Sequence, residues 1–160
     1  MDVSARSAGA ADLPDLVRLF RLLEAEMAEL EPIWPLADGL PEPVEEAMAT
    51  AIGSPDTTLL VGCIDACVVG FLHAVRRDLA PQAGGDRVGA VRHIFTEVPA
   101  REVGVGEAML HAFMEAELSN GVQRFDAHVT PGQRLTKNFF ESHGFSARSI
   151  VMHREAGKGK

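Results

Sequence analysis

Two neighbouring runs that are apolar on every side constrain this chain more than anything else in it. Residues 57–64 (TTLLVGCI) and 68–75 (VVGFLHAV) are rich in β-branched side chains and carry no charge. A strand with one wet face alternates apolar and polar residues, so a strand without alternation is covered on both faces. Asp65 and Ala66 between the runs fit the tight turn of a hairpin. The chain must therefore place helices over both sides of a sheet. Its 160 residues suffice for that, because a domain of this size buries roughly 70% of its unfolded surface. One domain over residues 1–156 is expected, with a frayed tail at 157–160.

The covering helices are legible from their spacing. Leu13, Leu16, Phe20, Leu23, Met27 and Leu30 recur at three- and four-residue steps and form one buried stripe. Asp12 reads as the N-cap, and Pro32 ends the helix. Residues 31–43 hold four of the nine prolines and the single tryptophan, Trp34, which makes a stiff loop. A second helix runs from about Glu42 to Gly53. Further helices are expected over 105–119 and 133–143, and further strands over 3–7, 88–96, 122–130 and 145–153. The unit at 88–130 is a right-handed crossover joining parallel strands. The order β-α-α-β-β-β-α-β-α-β predicts an α/β fold, with a mixed sheet and helices on both faces.

Charge narrows the partners. Fifteen basic against 23 acidic residues give a net charge of −8, with no run of five Lys or Arg. This disfavours nucleic acid and anionic membrane and weakly favours a cationic partner. The longest apolar stretch, residues 59–72, is interrupted by Asp65 and two glycines and is too short for a bilayer. The N-terminus lacks a signal-peptide core, so a cytoplasmic location is expected. Cys63 and Cys67 are too few for a structural zinc site and read as reduced strand residues.

The chemistry lies in residues 101–106, Arg-Glu-Val-Gly-Val-Gly, between a strand and a helix. Two glycines let backbone approach a ligand closely, and a helix start offers unpaired N–H groups and a positive dipole end. Arg101 adds a charge. The segment is no P-loop, since no Gly-Lys-Ser/Thr follows, and no dinucleotide fingerprint, since Met109 stands at the third glycine position. On the hexapeptide alone, a phosphate site and a plain helix-start turn with an exposed arginine are both open.

The hexapeptide matches the pattern R/Q-x-x-G-x-G/A. Residues 139–145 (FFESHGF) resemble a "(F/L)-Y-E-x-x-G-F" pattern, and Arg6, Ala8, Asp12, Leu13 and Pro14 resemble an opening strand–helix start. Together with the element order, these features make the chain resemble the GNAT superfamily of N-acetyltransferases over nearly its whole length. The resemblance implies that two parallel strands splay apart and that the pantetheine arm of acetyl-CoA pairs along the first, at Ile94, Phe95 and Thr96. It implies that Arg101, Glu102 and the amides of Val103, Gly104, Val105, Gly106 and Glu107 form the pyrophosphate loop. Glu102 stands where many relatives have Gly. Phe140 stands where the pattern often has a Tyr that protonates the departing thiolate, and this chain contains no Tyr. Gln133 replaces a common Asn, and Ser142, His143 or water are substitute acids.

Base candidates on the splayed strands are His93, Glu97, Asp126 and His128, with a water relay as the other route. Each also reads as an ordinary sheet or surface residue. Trp34 lies where relatives shape the acceptor pocket, or else closes the core. Arg134 and Lys137 meet CoA phosphates or solvent. His111 and Glu115, one turn apart, read as an exposed helix face rather than metal ligands, and no metal is expected. The reading is an acyl-CoA-dependent N-acyltransferase, with acetyl-CoA as co-substrate and direct transfer to an amine. The acceptor is a small-molecule amine or a protein N-terminus, and a homodimer is compatible. The rivals are a CoA-binding sensor or scaffold that has lost catalysis, and a domain using the same loop for another phosphorylated ligand.

Overall fold

The computed structural model of the chain describes residues 1–34, 36 and 39–158. Its elements are β1 (Val3–Ser7), α1 (Leu13–Ala28), α2 (Val44–Gly53), β2 (Thr57–Ile64), β3 (Cys67–Asp78), β4 (Arg87–Thr96), α3 (Val105–Ser119), β5 (Arg124–Ala127) and α4 (Arg134–Ser142). They form one five-stranded mixed sheet in the order β1-β2-β3-β4-β5. The first four strands are antiparallel neighbours, and β5 lies parallel to β4. Asp65 and Ala66 both take positive φ, 48° and 69°, the conformation of a two-residue hairpin turn.

Both faces are covered, as the apolar hairpin requires. Leu16, Leu19, Phe20 and Leu23 of α1 and Met48 of α2 pack with Leu59, Val61, Phe71 and Phe95 on one face. Met109, Leu110 and Phe113 of α3 and Phe140 of α4 pack with Leu60, Leu72 and Val91 on the other. Glu117 of α3 is buried, and Arg76 of β3 grips it at 2.8 and 3.1 Å. Such a pair holds the helix in register with the sheet, because losing either partner would strand a buried charge.

Two features position the site. The β3–β4 register shifts between the pairs His73↔His93 and Ala74↔Val91, so Arg92 is an extra residue on β4. A bulge of this kind raises the local twist. The β5 ladder ends at the same place: it pairs only Val88 to Val91, and the last bond is from the His128 amide to the Val91 carbonyl, 2.9 Å. Beyond it β4 continues to Thr96 paired only with β3, so β4 and β5 splay. The second feature is a seat for α3. Gly62 and Gly70 are cross-strand partners. A Cβ on Gly62 would lie 2.6 Å from Val105 Cγ1 and 2.9 Å from Met109 Sδ, and one on Gly70 would lie 3.1 Å from Met109 Cε. Only glycine allows the first turns of α3 to sit this close to the sheet.

Three expectations are corrected. Asp12 does not cap α1 through its side chain. It ends a 3-10 turn instead, accepting the Gly9 amide at 2.8 Å and a two-pronged Arg6 guanidinium, because the paired arginine fixes the carboxylate toward the turn. The strand expected over 122–130 is only Arg124–Ala127, cut short by the splay. The strand expected over 145–153 does not form. Phe145 docks on Phe140 and Arg148 grips Asp126, but no strand ladder follows; an apolar pattern makes a strand only where a partner edge takes its hydrogen bonds. Among the described residues, no helix is long and apolar enough to cross a membrane.

Candidate active site

The start of α3 is built from backbone. After β4 the chain makes a short 3-10 turn, Val98–Ala100, with Ala100 buried as its anchor. Glu102 and Gly104 then take positive φ, 68° and 100°, and turn the amides toward the helix start. No side chain caps α3, and its first backbone bond runs from the Ala108 amide to the Gly104 carbonyl, 2.9 Å. The amides of Val105, Gly106 and Glu107 precede that bond and point out of the helix end, where an anion is favoured. Gly106 faces the Phe139 ring of α4, 3.4 Å from where a Cβ would stand. Val103 is exposed and Glu107 is the acidic residue of the first turn.

Arg101 is turned away from those amides. Its Nε donates to the Thr96 carbonyl at 2.8 Å, its terminal nitrogen meets Glu26 at 2.9 Å, and its guanidinium lies 5.4 Å from the Phe95 ring centre. The arginine therefore ties the end of β4 to α1 and positions the loop. Its charge is matched by Glu26, and the anion site is left to the amides. Ile94 is half-buried on the α3 face, Phe95 is buried on the α1 face, and Thr96 ends the strand.

A cleft of about 270 Å³ opens between α1 and the residues after β4, lined by Arg18, Leu22, Glu26, Phe95, Glu97, Val98 and Pro99. Glu97 lies here, adjacent to Thr96, its carboxylate one-quarter exposed and bonded to Arg18. Arg18 also meets Asp15 and the Val68 carbonyl. A separate hollow of about 300 Å³ lies at the far ends of β4 and β5, beside Arg87, Gly121 and Arg124; it contains none of the residues singled out by sequence.

The other base candidates are differently placed. His93 is buried, 4% exposed, and its Nδ1 lies 3.0 Å from Nδ1 of His73. One ring's Nδ1 must donate and the other's accept. Burial, then the neighbouring His93 and Arg92, push the His73 pKa down to about 3. The His93 ring also packs edge-on against Phe20 at 5.6 Å, inside the α1-side core. Asp126 is held by both prongs of Arg148, and that bond lowers its pKa. His128 meets an Arg77 guanidinium nitrogen through Nε2 at 2.9 Å, so the ring nitrogen that would take a proton already accepts a bond.

Phe140 is buried among Phe139, Phe145 and the α3 side chains. Gln133 precedes α4 and accepts the Thr130 amide at 2.8 Å, which closes the turn after β5. Trp34 is 41% exposed and meets His153 edge-on at 4.5 Å, so it does not close the core, nor does it line the cleft of Glu97. Ser142 and His143 stand at the end of α4 and share the Phe139 carbonyl. Sequence reasoning missed the Gly62–Gly70 seat and the cleft residues Arg18, Leu22 and Glu26. The seat had a signal, an isolated glycine inside each apolar run; Arg18 and Glu26 had none.

AAC(6')-Iy, solved with the bisubstrate analogue CoA-S-monomethyl-acetylneamine, is 16% identical with a TM-score of 0.77 over 97% of this chain and 99% of that one, and an aminoglycoside acetyltransferase from an uncultured soil metagenomic sample, solved with sisomicin, is 15% identical with a TM-score of 0.70 over 98% and 97%. A tetramutant of the BH1408 protein from Bacillus halodurans is 18% identical with a TM-score of 0.80 over 97% and 99%. A ribosomal-protein-alanine N-acetyltransferase from Brucella melitensis is 16% identical with a TM-score of 0.67 over 96% and 100%. At such identities the likeness is one of fold. Among curated proteins none matches. The family described as Acetyltransferase (GNAT) matches residues 19–145, a span that runs from α1 through the splayed strands to the end of α4. The chain belongs to the GNAT family of acetyltransferases.

Proposed function

We propose that the protein is an acetyl-CoA-dependent N-acyltransferase that moves the acyl group directly to an amine. One observation carries the reading: an uncapped helix start with outward amides stands beside the unpaired edge of a splayed strand. The residues present fit the co-substrate. The amides of Val103 to Glu107 would bind its pyrophosphate, and the β4 edge at Ile94, Phe95 and Thr96 would pair with its amide-bearing arm. Bound there, acetyl-CoA supplies an activated acyl group as a thioester.

The acceptor amine enters through the cleft of Arg18, Leu22 and Glu97. Glu97 takes the amine's proton, directly or through one water, since it is the candidate base that combines partial exposure with a place in the cleft. Arg18 holds that carboxylate in place. A backbone N–H at the end of β4 polarises the acyl carbonyl. Phe140 offers no proton to the leaving thiolate and contributes only packing. A general acid is worth about 10²–10⁴-fold, so its loss slows transfer without forbidding it. Two structural neighbours are named for their acceptors, an aminoglycoside in one and a ribosomal-protein alanine in the other, which supports an amine acceptor here. The net charge of −8 supports a cationic small-molecule amine.

A second reading, a CoA-binding sensor without turnover, is favoured by Phe140 alone. One experiment separates the two. Acetyl-CoA and CoA are titrated calorimetrically into wild type, Arg101→Ala and Gly104→Val, and thiol release is then followed against polyamines, aminoglycosides and a peptide N-terminus. Micromolar binding, lost in Gly104→Val, with amine-dependent thiol release, establishes the transferase. Binding without release by any amine favours the sensor. Folded wild type that binds neither ligand at millimolar concentration rejects both.

A further inference from the structure

The geometry points to a zinc site made by Glu107, His111 and His143, on the outer side of the α3–α4 contact. Glu107 and His111 are four residues apart on α3, so one turn of helix puts them on the same face. His143, the residue that ends α4, reaches them because α4 crosses the first turn of α3, with Phe139 against Gly106. One ligand atom from each of the three lies within 4.8 Å of the others. Glu107 Oε1 and His143 Nε2 are 4.0 Å apart. Tetrahedral zinc with bonds of about 2.0–2.1 Å needs its ligand atoms about 3.4 Å from one another. Small rotations of the exposed Glu107 and His111 side chains close that difference.

The third ligand is already oriented. His143 Nδ1 lies 2.8 Å from the Phe139 carbonyl, which accepts only, so Nδ1 carries the hydrogen. The lone pair is then on Nε2, the atom that faces Glu107. A backbone carbonyl that fixes a ring's tautomer and aims its other nitrogen is the usual outer support of a metal-binding imidazole. The Ser142 hydroxyl, 2.7 Å from the same carbonyl and 3.2 Å from Nδ1, adds to this support. The His111 and His143 rings stand edge to face with centres 6.0 Å apart. Two imidazoles and one carboxylate suit Zn²⁺ rather than Mg²⁺ or Ca²⁺, which take oxygen ligands. A water would complete four-coordination. The structure thus pairs His111 with the acid one turn before it, not with Glu115 one turn after.

The test uses the full chain without a histidine tag. Zn²⁺ is titrated by calorimetry, and Co²⁺ is titrated with visible absorption as the readout of tetrahedral coordination. Expected are one ion per chain with a micromolar dissociation constant and ligand-field bands free of thiolate charge transfer. His111→Ala and His143→Ala should each weaken binding by about 10- to 100-fold or more. Cys67→Ser, which removes the exposed thiol, and His153→Ala should bind as wild type does. Unchanged far-ultraviolet circular dichroism shows that each variant is folded. Wild type that stays metal-free at millimolar Zn²⁺ overturns the proposal. So does binding indifferent to His111→Ala, or binding lost in Cys67→Ser. No acyl donor is present, so failure here leaves the transferase reading intact.

Discussion

The start of α3 and the cleft beside α1 sit at the same end of the sheet, yet they are made from different materials. The first is backbone: three outward amides, two positive φ angles and a seat of two glycines. The second is side chains: Glu97 held by Arg18, and Glu26 held by Arg101, over an apolar floor of Leu22 and Phe95. A backbone site depends on where the helix sits, and many side chains along it are free to vary. A side-chain site depends on which ion pairs form, and a single substitution rewires it. The first should therefore fail through packing and the second through charge.

The largest effect expected from that contrast is at the seat. Gly62→Val places carbon inside the contact with Val105 and Met109. Overpacking of this kind costs about 3 kcal/mol, read as a lower denaturation midpoint, and pushes the α3 start off the sheet, so calorimetric binding of acetyl-CoA should vanish in any folded fraction. A Gly62→Val protein of wild-type stability and affinity would refute the packing half of the contrast. Next comes Glu97→Gln in the cleft. It keeps shape and removes the proposed base, so kcat should fall about 10²-fold with acetyl-CoA affinity unchanged. An equal loss in acetyl-CoA binding would show that the two regions are not separable.

The buried histidine pair gives an effect of similar order. His73 is buried and its pKa is pushed from 6.5 to about 3, chiefly by burial. Below pH 6.5 the unfolded chain takes up a proton that the folded pair refuses, so stability is fully present above 6.5 and is lost as pH falls toward 3. The slope is about 1.4 kcal/mol per pH unit, or roughly 2 kcal/mol between pH 6.5 and 5. Urea unfolding of wild type and His73→Leu across that window tests it: wild type should weaken with acid more steeply than the variant, and parallel curves would remove the pair from the account.

How much of this was legible follows the same division. The apolar hairpin, the stripe on α1 and the glycines at 104 and 106 announced the sheet, its covers and the helix start, because each is a local demand of backbone or burial. The isolated Gly62 and Gly70 carried the seat, but their meaning required knowing which helix crosses them. The pairing of His93 with His73 depended on a bulge at Arg92, which no spacing reveals. The partners of Arg101 and Arg18 come from α1, β3, β4 and the residue after it, so a linear reading does not show that Glu26 and Thr96 contact Arg101. The tail at 145–153 had a strand's pattern and lacked a strand's partner.

The smallest effect sharpens the contrast most, because it acts where backbone and charge meet. Glu102 takes φ 68°, a left-handed conformation that costs a non-glycine residue about 1–2 kcal/mol. The same residue puts a carboxylate beside amides that favour an anion. Glu102→Gly removes both. Relief of strain is largely offset by the extra freedom glycine has in the unfolded chain, about 0.5–1 kcal/mol, so stability should rise only slightly. Loss of the charge acts on the ligand alone: an exposed charge at this range is worth about 0.2–1 kcal/mol, so acetyl-CoA should bind about threefold tighter at low salt, the gain shrinking as salt screens it. Glu102→Gln, which keeps the strain and removes the charge, should show the same gain in affinity. If only the glycine variant binds tighter, the loop's limit is conformational. If both do so and the gain survives high salt, the carboxylate makes a direct contact. Tight, salt-sensitive binding in both variants would mean that the backbone supplies the site while one side chain opposes it.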